Sequence, residues 1–455
     1  MKYLSTRNNK LKESFTNILF QGLSKEGGLF LPHQWPIVSI SDIKNKTYQE
    51  IALLVIKPYL AEELSEEQLI DVIDKTFKNF RHKKIAPLLN IDNQKYIMEL
   101  FHGPTFAFKD YALQFLGNLF SEILKHKKRK ITILGATSGD TGSAAINAFK
   151  GKKDIQVFIL HPYNKVSEIQ RRQMTTVLDD NIHNIAIQGT FDDCQKIIKK
   201  LFLDNELQSK TSLTAVNSIN WTRLIAQAVY YFWAFAQLDQ EKISFIVPSG
   251  NFGNIFSAKV AKYMGLPINK LHIVTNDNDI LHSAVTEGLM KIKEVKQTYS
   301  PSMDIQISSN FERQLFESSK RNSEFINDFM QSFLDNGSGK IPLDILKDLK
   351  LIYNSHSVSN SETLDTIKLF KQKYNYLADP HTATGLRILN NIHEEFPVVS
   401  LACAHPSKFG DAIKKATGNM PDLPKSLENI FDKKEKLVIF DNSILKTKNH
   451  ILKHI

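Results

Sequence analysis

The chain predicts an α/β fold preceded by a mostly helical region, and three observations carry that reading. Short Ile- and Val-rich runs alternate with helical stretches from Lys95 onward. Two of these units share a strand, a Gly/Ser/Thr loop and a helix, and the residues in front of them have a helical apolar period.

Taken in order, residues 1–93 read as mostly helical. YQEIALLVIKPYL and SEEQLIDVIDKTF repeat apolar residues every 3.6 positions, after a turn-rich GGLFLPHQWP segment from Gly27 to Pro36. Beyond Lys95, ITILGA, IQVFILHP, NIAIQG, ISFIVPSG and LHIVTN each precede a helical stretch, which argues for parallel sheet. LIAQAVYYFWAFAQL, Leu224 to Leu238, is the longest apolar run. It is too short to span a bilayer and is interrupted by Gln227 and Gln237, so it reads as a helix buried on most sides. LDNGSGKIP, around Asn336 to Pro342, reads as a loop, and KKEKLVIFDNSILKTKNHILKHI as a peripheral tail.

The 455 residues, 42% hydrophobic and 23% charged, suit a globular protein of two or three domains. Cys194 and Cys403 are too few for a disulfide framework, so a reducing, cytoplasmic setting is expected. The start, MKYLSTRNNKLKESF, has neither the apolar core nor the cleavage site of a signal peptide, and no membrane partner is expected. Net charge is +10, from 58 Lys+Arg against 48 Asp+Glu. The one dense basic block, Lys125 to Lys130, lies between a helix pattern and a strand. There it complements a helix dipole, and no aromatic residues interleave with it as base stacking would require. Nucleic acid is therefore disfavoured against a small anionic ligand.

Three features carry chemistry. Lys109 stands in HGPTFAFKDYALQFLG, among apolar residues. Either its stem snorkels, or it is desolvated and its neutral amine is available as a nucleophile. Two strand–loop–helix junctions, Ser138-Gly139-Asp140-Thr141-Gly142 and Gly250-Asn251-Phe252-Gly253-Asn254, offer backbone N–H groups at helix starts, where phosphate or carboxylate binds. Neither is a Walker A loop or GxGxxG, so a P-loop kinase and a dinucleotide dehydrogenase are disfavoured. Arg223 in NSINWTRLIAQ, behind Asn217, Ser218 and Asn220, suits a phosphate as well as an ordinary helix start with a surface arginine.

HGPTFAFKD, ATSGDTG, NSIN..R, PSGNFG, SMDIQISSNFER and AHPSKF occur in this order, and from GGLFLP to about Pro424 the chain resembles the threonine synthase family. That family consists of pyridoxal-phosphate (PLP) enzymes of fold-type II. The resemblance implies two α/β open-sheet domains beside the helical N-terminal one. Residues 119–214 would form a smaller mobile domain, 94–118 with 215–455 the large PLP-binding domain, and 1–93 the third. It implies that Lys109 carries the cofactor and, displaced by substrate, becomes the mobile acid/base. Gly250, Asn251, Phe252, Gly253 and Asn254 would hold the cofactor phosphate, with Cys403 beside the pyridine nitrogen. Thr137, Ser138, Gly139, Asp140 and Thr141 would meet the substrate carboxylate, and Asn217, Asn220 and Arg223 the substrate phosphate, with Ser308, Ser309 and Asn310 lining that region. His102 and the helix-start His381 stay outside the catalytic set.

Two positions depart from the family pattern: Cys403, where threonine is common, and Asn254, where aspartate is common. A thiol keeps the neutrality of the hydroxyl as a weaker partner, and Asn254 can still cap a helix. The implied reaction is a γ-elimination and β-replacement on O-phospho-L-homoserine, in which phosphate leaves Cγ and water adds at Cβ to give L-threonine. A phospho-lyase releasing phosphate, ammonia and 2-oxobutanoate is the alternative on the same scaffold. Monomer and homodimer both remain open.

Overall fold

Buried on both faces, the apolar runs become the strands of two open sheets. The computed structural model describes residues 1–127 and 129–455, leaving aside the side chain of His126, so Lys128 of the basic block lies outside the described residues. Among the described residues, no helix is long and apolar enough to cross a membrane.

In the N-terminal region β1 (Tyr3–Ser5) pairs antiparallel with β2 (Asn8–Glu13) and β3 (Phe30–Pro32). The helices Tyr48–Leu60 and Glu66–Phe77 follow, each begun by a reciprocal capping box, Thr47 with Glu50 and Ser65 with Gln68. The region expected to be mostly helical thus also carries a small three-stranded sheet. β3 arises inside the turn-rich GGLFLP segment because Gly28 lets the backbone pass where a Cβ would meet Ser5 Oγ at 2.2 Å.

The larger sheet contains β4 (Leu88–Asp92), β5 (Lys95–Glu99), β10 (Ile243–Pro248), β11 (Ile268–Thr275), β14 (Tyr353–Ser357) and β15 (Val398–Ala402), in the order β14-β11-β10-β15-β5-β4. It is parallel except for β4 at the edge. Every residue of β10 and β15 is buried, as expected for strands covered on both sides. One covering helix is Trp221–Ala236, buried from Trp221 to Phe235, as its continuous apolar run predicted.

The smaller sheet contains β6 (Ile131–Ala136), β7 (Ile155–Pro162), β8 (Ile182–Gln188), β9 (Ser212–Thr214) and β16 (Val438–Asp441), all parallel, in the order β16-β8-β7-β6-β9. An antiparallel pair of β12 (Leu289–Lys291) and β13 (Ser338–Lys340), distant in sequence, makes the expected loop at Asn336 to Pro342 partly extended.

Two segments therefore sit elsewhere than expected. β4, inside 1–93, belongs to the larger sheet, and β16 of the tail joins the smaller one. A four-residue strand among lysines pairs with a partner some 250 positions away, roughly the separation of β8 and β16; no local pattern encodes such a contact.

The first helix of the α/β region, Lys109–Lys127, lies against Asp140–Phe149 at close range. A Cβ on Gly117 would come 2.5 Å from the Ala148 carbonyl oxygen. Gly117→Ala should therefore separate these helices and cost about 1–3 kcal/mol, read as a lower urea midpoint. An unchanged midpoint would show that the contact relaxes freely.

Candidate active site

The turn before Lys109 is built by its neighbour. Asp110 accepts from the Thr105 backbone N–H at 2.8 Å and from Thr105 Oγ1 at 2.7 Å, and a Cβ on Gly103 would fall 2.4 Å from Asp110 Cβ. Burial raises the Asp110 carboxyl to about 6, against those hydrogen bonds. Phe106 takes a left-handed backbone, φ 61°. The chain is then fastened to the end of β15: Ala107 bridges Ala404, Phe108 N–H donates to the Cys403 carbonyl at 2.8 Å, and His405 N–H to that of Phe106 at 3.0 Å.

Lys109 begins its helix 8% exposed. Its Nζ lies 3.4 Å from Asp140 Oδ2 and 3.4 Å from Ser302 Oγ, and 4.8 Å from the centre of the Phe108 ring. Burial lowers its pKa, Asp140 opposes this, and Lys408 and Arg223 add to the lowering. The side chain is therefore not a snorkelling lysine. It is a desolvated amine facing one carboxylate.

That carboxylate is shared. Asp140 stands at the start of Asp140–Phe149, where Oδ1 also accepts from Lys408 Nζ and Gln170 Nε2, each at 2.7 Å. Burial alone would raise its pKa, but Lys408 and Lys109 more than reverse this and hold it well below the carboxylate range. Lys408 is 1% exposed and donates also to the Thr105 carbonyl at 2.9 Å. Thr137 shapes this loop, its Oγ1 accepting from Gly139 N–H at 3.0 Å and Gly142 N–H at 2.8 Å. Gly139 has φ 140°, and Gln170 fills the place a Cβ would need. Ser138 and Thr141 are half-buried beside it.

The second glycine loop follows β10 and opens the helix Gly253–Tyr263, with Phe252 at φ 60°. Its carbonyls face away from the helix start and are held there: Ser308 Oγ donates to Gly250 O at 2.7 Å, and Asn310 Nδ2 to Asn251 O at 2.9 Å. Gly250 has no room for a side chain, since a Cβ would lie 3.0 Å from the Ser302 carbonyl. Asn254 Oδ1 accepts from Tyr231 Oη at 2.8 Å and from Tyr230 Oη, while its buried Nδ2 and the nearby Ser249 Oγ have no partner. Ser309 is half-buried between the two residues that hold the loop.

Arg223 is 4% exposed. Nη1 donates to the Val216 carbonyl at 3.0 Å, Nε has no partner, and among the described residues no carboxylate pairs with it. Burial brings its pKa down to about 10. Asn220 is spent structurally, capping Trp221–Ala236 through Thr222 N–H at 3.0 Å and donating to Leu19 O at 3.2 Å. Asn217 is exposed.

Cys403 is buried, and its backbone N–H donates to Thr382 Oγ1 at 2.8 Å. Burial, then Asp379, push its thiol well up. His381, outside the expected set, reaches the centre indirectly. Nδ1 faces Asp379 Oδ1 at 2.8 Å, and Nε2 accepts from the Ser302 backbone N–H at 3.2 Å, which sets the serine whose hydroxyl faces Lys109. His102 pairs with Glu99 at 2.8 Å.

Sequence reasoning missed Lys408, Gln170 and Arg313. Lys408 stands in AHPSKF next to Phe409, which is the signal that singled out Lys109. Arg313, in the NFER segment, is buried and donates to Phe30 O at 3.0 Å and Ile219 O at 2.7 Å, joining the N-terminal sheet to the loop before Arg223. Gln170 carries no local signal.

The residues present fit a phosphorylated pyridoxal cofactor. They provide a desolvated primary amine, a helix start with an unsatisfied Asn254 Nδ2 and Ser249 Oγ for the phosphate, and an uncharged thiol at the end of β15.

The chain is similar over its length to known proteins. Three family models match in series: "Threonine synthase N terminus" over residues 2–77, "Pyridoxal-phosphate dependent enzyme" over 81–331 and "Threonine synthase, C-terminal" over 382–451. The threonine synthase of Pseudomonas aeruginosa is 40% identical, over 100% of this chain and 98% of its own length. The crystal structure of PLP-bound threonine synthase from Brucella melitensis superposes with a TM-score of 0.97 at 41% identity, covering 100% of this chain and 99% of that one. Yeast threonine synthase gives 0.94 at 40% identity, covering 100% and 98%.

Proposed function

We propose, for a chain that belongs to the threonine synthase family and has the PLP fold-type II architecture, that the substrate is O-phospho-L-homoserine and that the named site residues divide its three anionic groups among them. The activity is that of a threonine synthase, a PLP-dependent lyase of threonine biosynthesis. One observation carries the substrate reading: Arg223 is a buried guanidinium with no carboxylate paired to it among the described residues, close enough to Lys109 to lower its pKa. A buried cation left so is costly unless an anion arrives. A phosphate ester matches its planar fork, and a free amino acid without phosphate would leave it unpaired.

Lys109, Gly250 to Asn254 and Cys403 would hold the cofactor. When bound, PLP supplies an electron sink for the charge left at the carbon that loses its proton. Lys109 is the base that takes the Cα proton, because its burial favours the neutral amine. Asp140 then stabilises the ammonium it becomes, from 3.4 Å. The Asp140 side chain is already paired with lysines and the Gly139 N–H with Thr137 Oγ1, so a substrate carboxylate at this loop meets the backbone N–H groups of Ser138, Asp140 and Thr141 rather than that side chain. Arg223, with Asn217 and Asn220 flanking the same loop, receives the phosphate that leaves Cγ. The two free, buried cysteines support action in the cytoplasm.

The test is a product assay on PLP-loaded protein given O-phospho-L-homoserine, quantifying phosphate, L-threonine and 2-oxobutanoate together. Equal phosphate and threonine are expected. Phosphate with oxo acid and ammonia would instead identify a phospho-lyase. Arg223→Ala should lower kcat/KM by about 3 kcal/mol, roughly 150-fold, because it removes charge-assisted hydrogen bonds to the phosphate. An unchanged kcat/KM would place the phosphate elsewhere.

A further inference from the structure

Away from the catalytic residues, the tail brings three imidazoles together. The helix Ile444–Leu452 packs on the smaller sheet through the fully buried Ile451, in one apolar cluster with Phe158, Ile185 and Ile187. His450 lies in its last turn, and His454 is four residues on, with its N–H bonded to the Ile451 carbonyl at 2.9 Å. That spacing puts both rings on one side of the helix. His183 meets them from the start of β8, as its second residue. One ligating atom from each ring falls within 4.8 Å of the other two. The ring centres of His183 and His450 are 4.6 Å and 4.5 Å from that of His454.

The hydrogen bonds select the tautomers. His454 Nδ1 is 2.7 Å from the His450 carbonyl, which can only accept, so Nδ1 carries the hydrogen and the Nε2 lone pair is free. His183 Nε2 is 3.1 Å from Gln156 Oε1, so it donates there and leaves its Nδ1 lone pair. Metal-ligating histidines are commonly oriented by such a bond from the far nitrogen to a carbonyl.

We propose that His183, His450 and His454 form a transition-metal site that takes Zn²⁺ through three imidazole nitrogens, with water at the fourth position, and ties the tail helix to β8. Zn–N bonds of about 2.0–2.1 Å set tetrahedral nitrogens about 3.3 Å apart, so the trio closes by at most roughly 1.5 Å, within the reach of ring rotation. Lys436 acts electrostatically on His183, and Lys453 on His450. They disfavour a hard cation held by charge alone, and the nitrogen donors select zinc, nickel or copper over calcium or magnesium.

The test uses full-length, PLP-loaded protein stripped with a chelator. It is titrated with Zn²⁺ against a chromophoric competitor, and with Co²⁺ read by visible absorption. One equivalent should bind, the Co²⁺ form should show four-coordinate ligand-field bands, and Zn²⁺ should raise the melting temperature. His450→Ala and His454→Ala, both at half-buried positions, should each weaken binding by about 100-fold and abolish the thermal shift. The exposed His393→Ala should change neither. Binding below one equivalent, or binding indifferent to both variants, overturns the proposal.

Discussion

Lys109→Ala should reduce turnover by about 10⁴-fold or more, because it deletes the one amine placed to take the substrate proton. The second lysine at the centre, Lys408, does not substitute. Its ammonium is held by Asp140 at 2.7 Å and the Thr105 carbonyl at 2.9 Å, and it has no room to swing. The fold should survive, since Asp140 keeps both Lys408 and Gln170. Initial rates of phosphate release, measured beside the thermal midpoint of the same sample, separate the two effects. Residual activity above a percent of wild type would mean that another group takes the proton.

Asp140→Asn should have the largest effect on stability. It leaves Lys109 and Lys408 buried without a counter-ion, and breaking a buried ion pair from one side costs about 3–5 kcal/mol. Replacing Lys408 by Met in the same protein should restore most of that loss, so the two changes should be far from additive. Acid makes the same point. The Asp140 carboxyl titrates below its ordinary 3.8 in the folded state, so its stabilisation is complete above about pH 4 and disappears as pH falls further. The Asn variant should therefore lose less stability between pH 5 and pH 2 than wild type does. Guanidinium midpoints across that range measure it, and parallel curves would show that Asp140 contributes no net ion-pair energy.

The parts of the site that were legible in the sequence are local. Lys109 stood out because Phe106, Ala107 and Phe108 contradict a solvated lysine, and the two glycine loops because strand, loop and helix follow directly on each other. β6, β7 and β10 matched their apolar runs. What escaped was long-range. Asp140 looked like part of an anion loop, and its role as counter-ion depends on Lys408, which is adjacent only because β15 and the Lys109 turn are bridged at Ala107 and Ala404. Asn220, expected to face the phosphate, also caps a helix and donates to Leu19, and the latter partner lies some two hundred positions away. β4 and β16 were misplaced for a similar reason, being short, partly exposed strands whose membership is decided by partners outside their own sequence.

The position of β16 also bears on how the chain is made. β8 pairs with β7 on one side, and on the other its apolar backbone is covered only by β16. During synthesis β16 emerges about 250 residues after β8, so the smaller sheet spends most of translation with an open hydrogen-bonding edge. Such an edge is a template for any other extended chain, including the same edge on a neighbouring ribosome. The last strand therefore exchanges a long, buried edge for a short, half-exposed one, and a nascent chain stalled before Val438 would be more prone to aggregate than the finished chain.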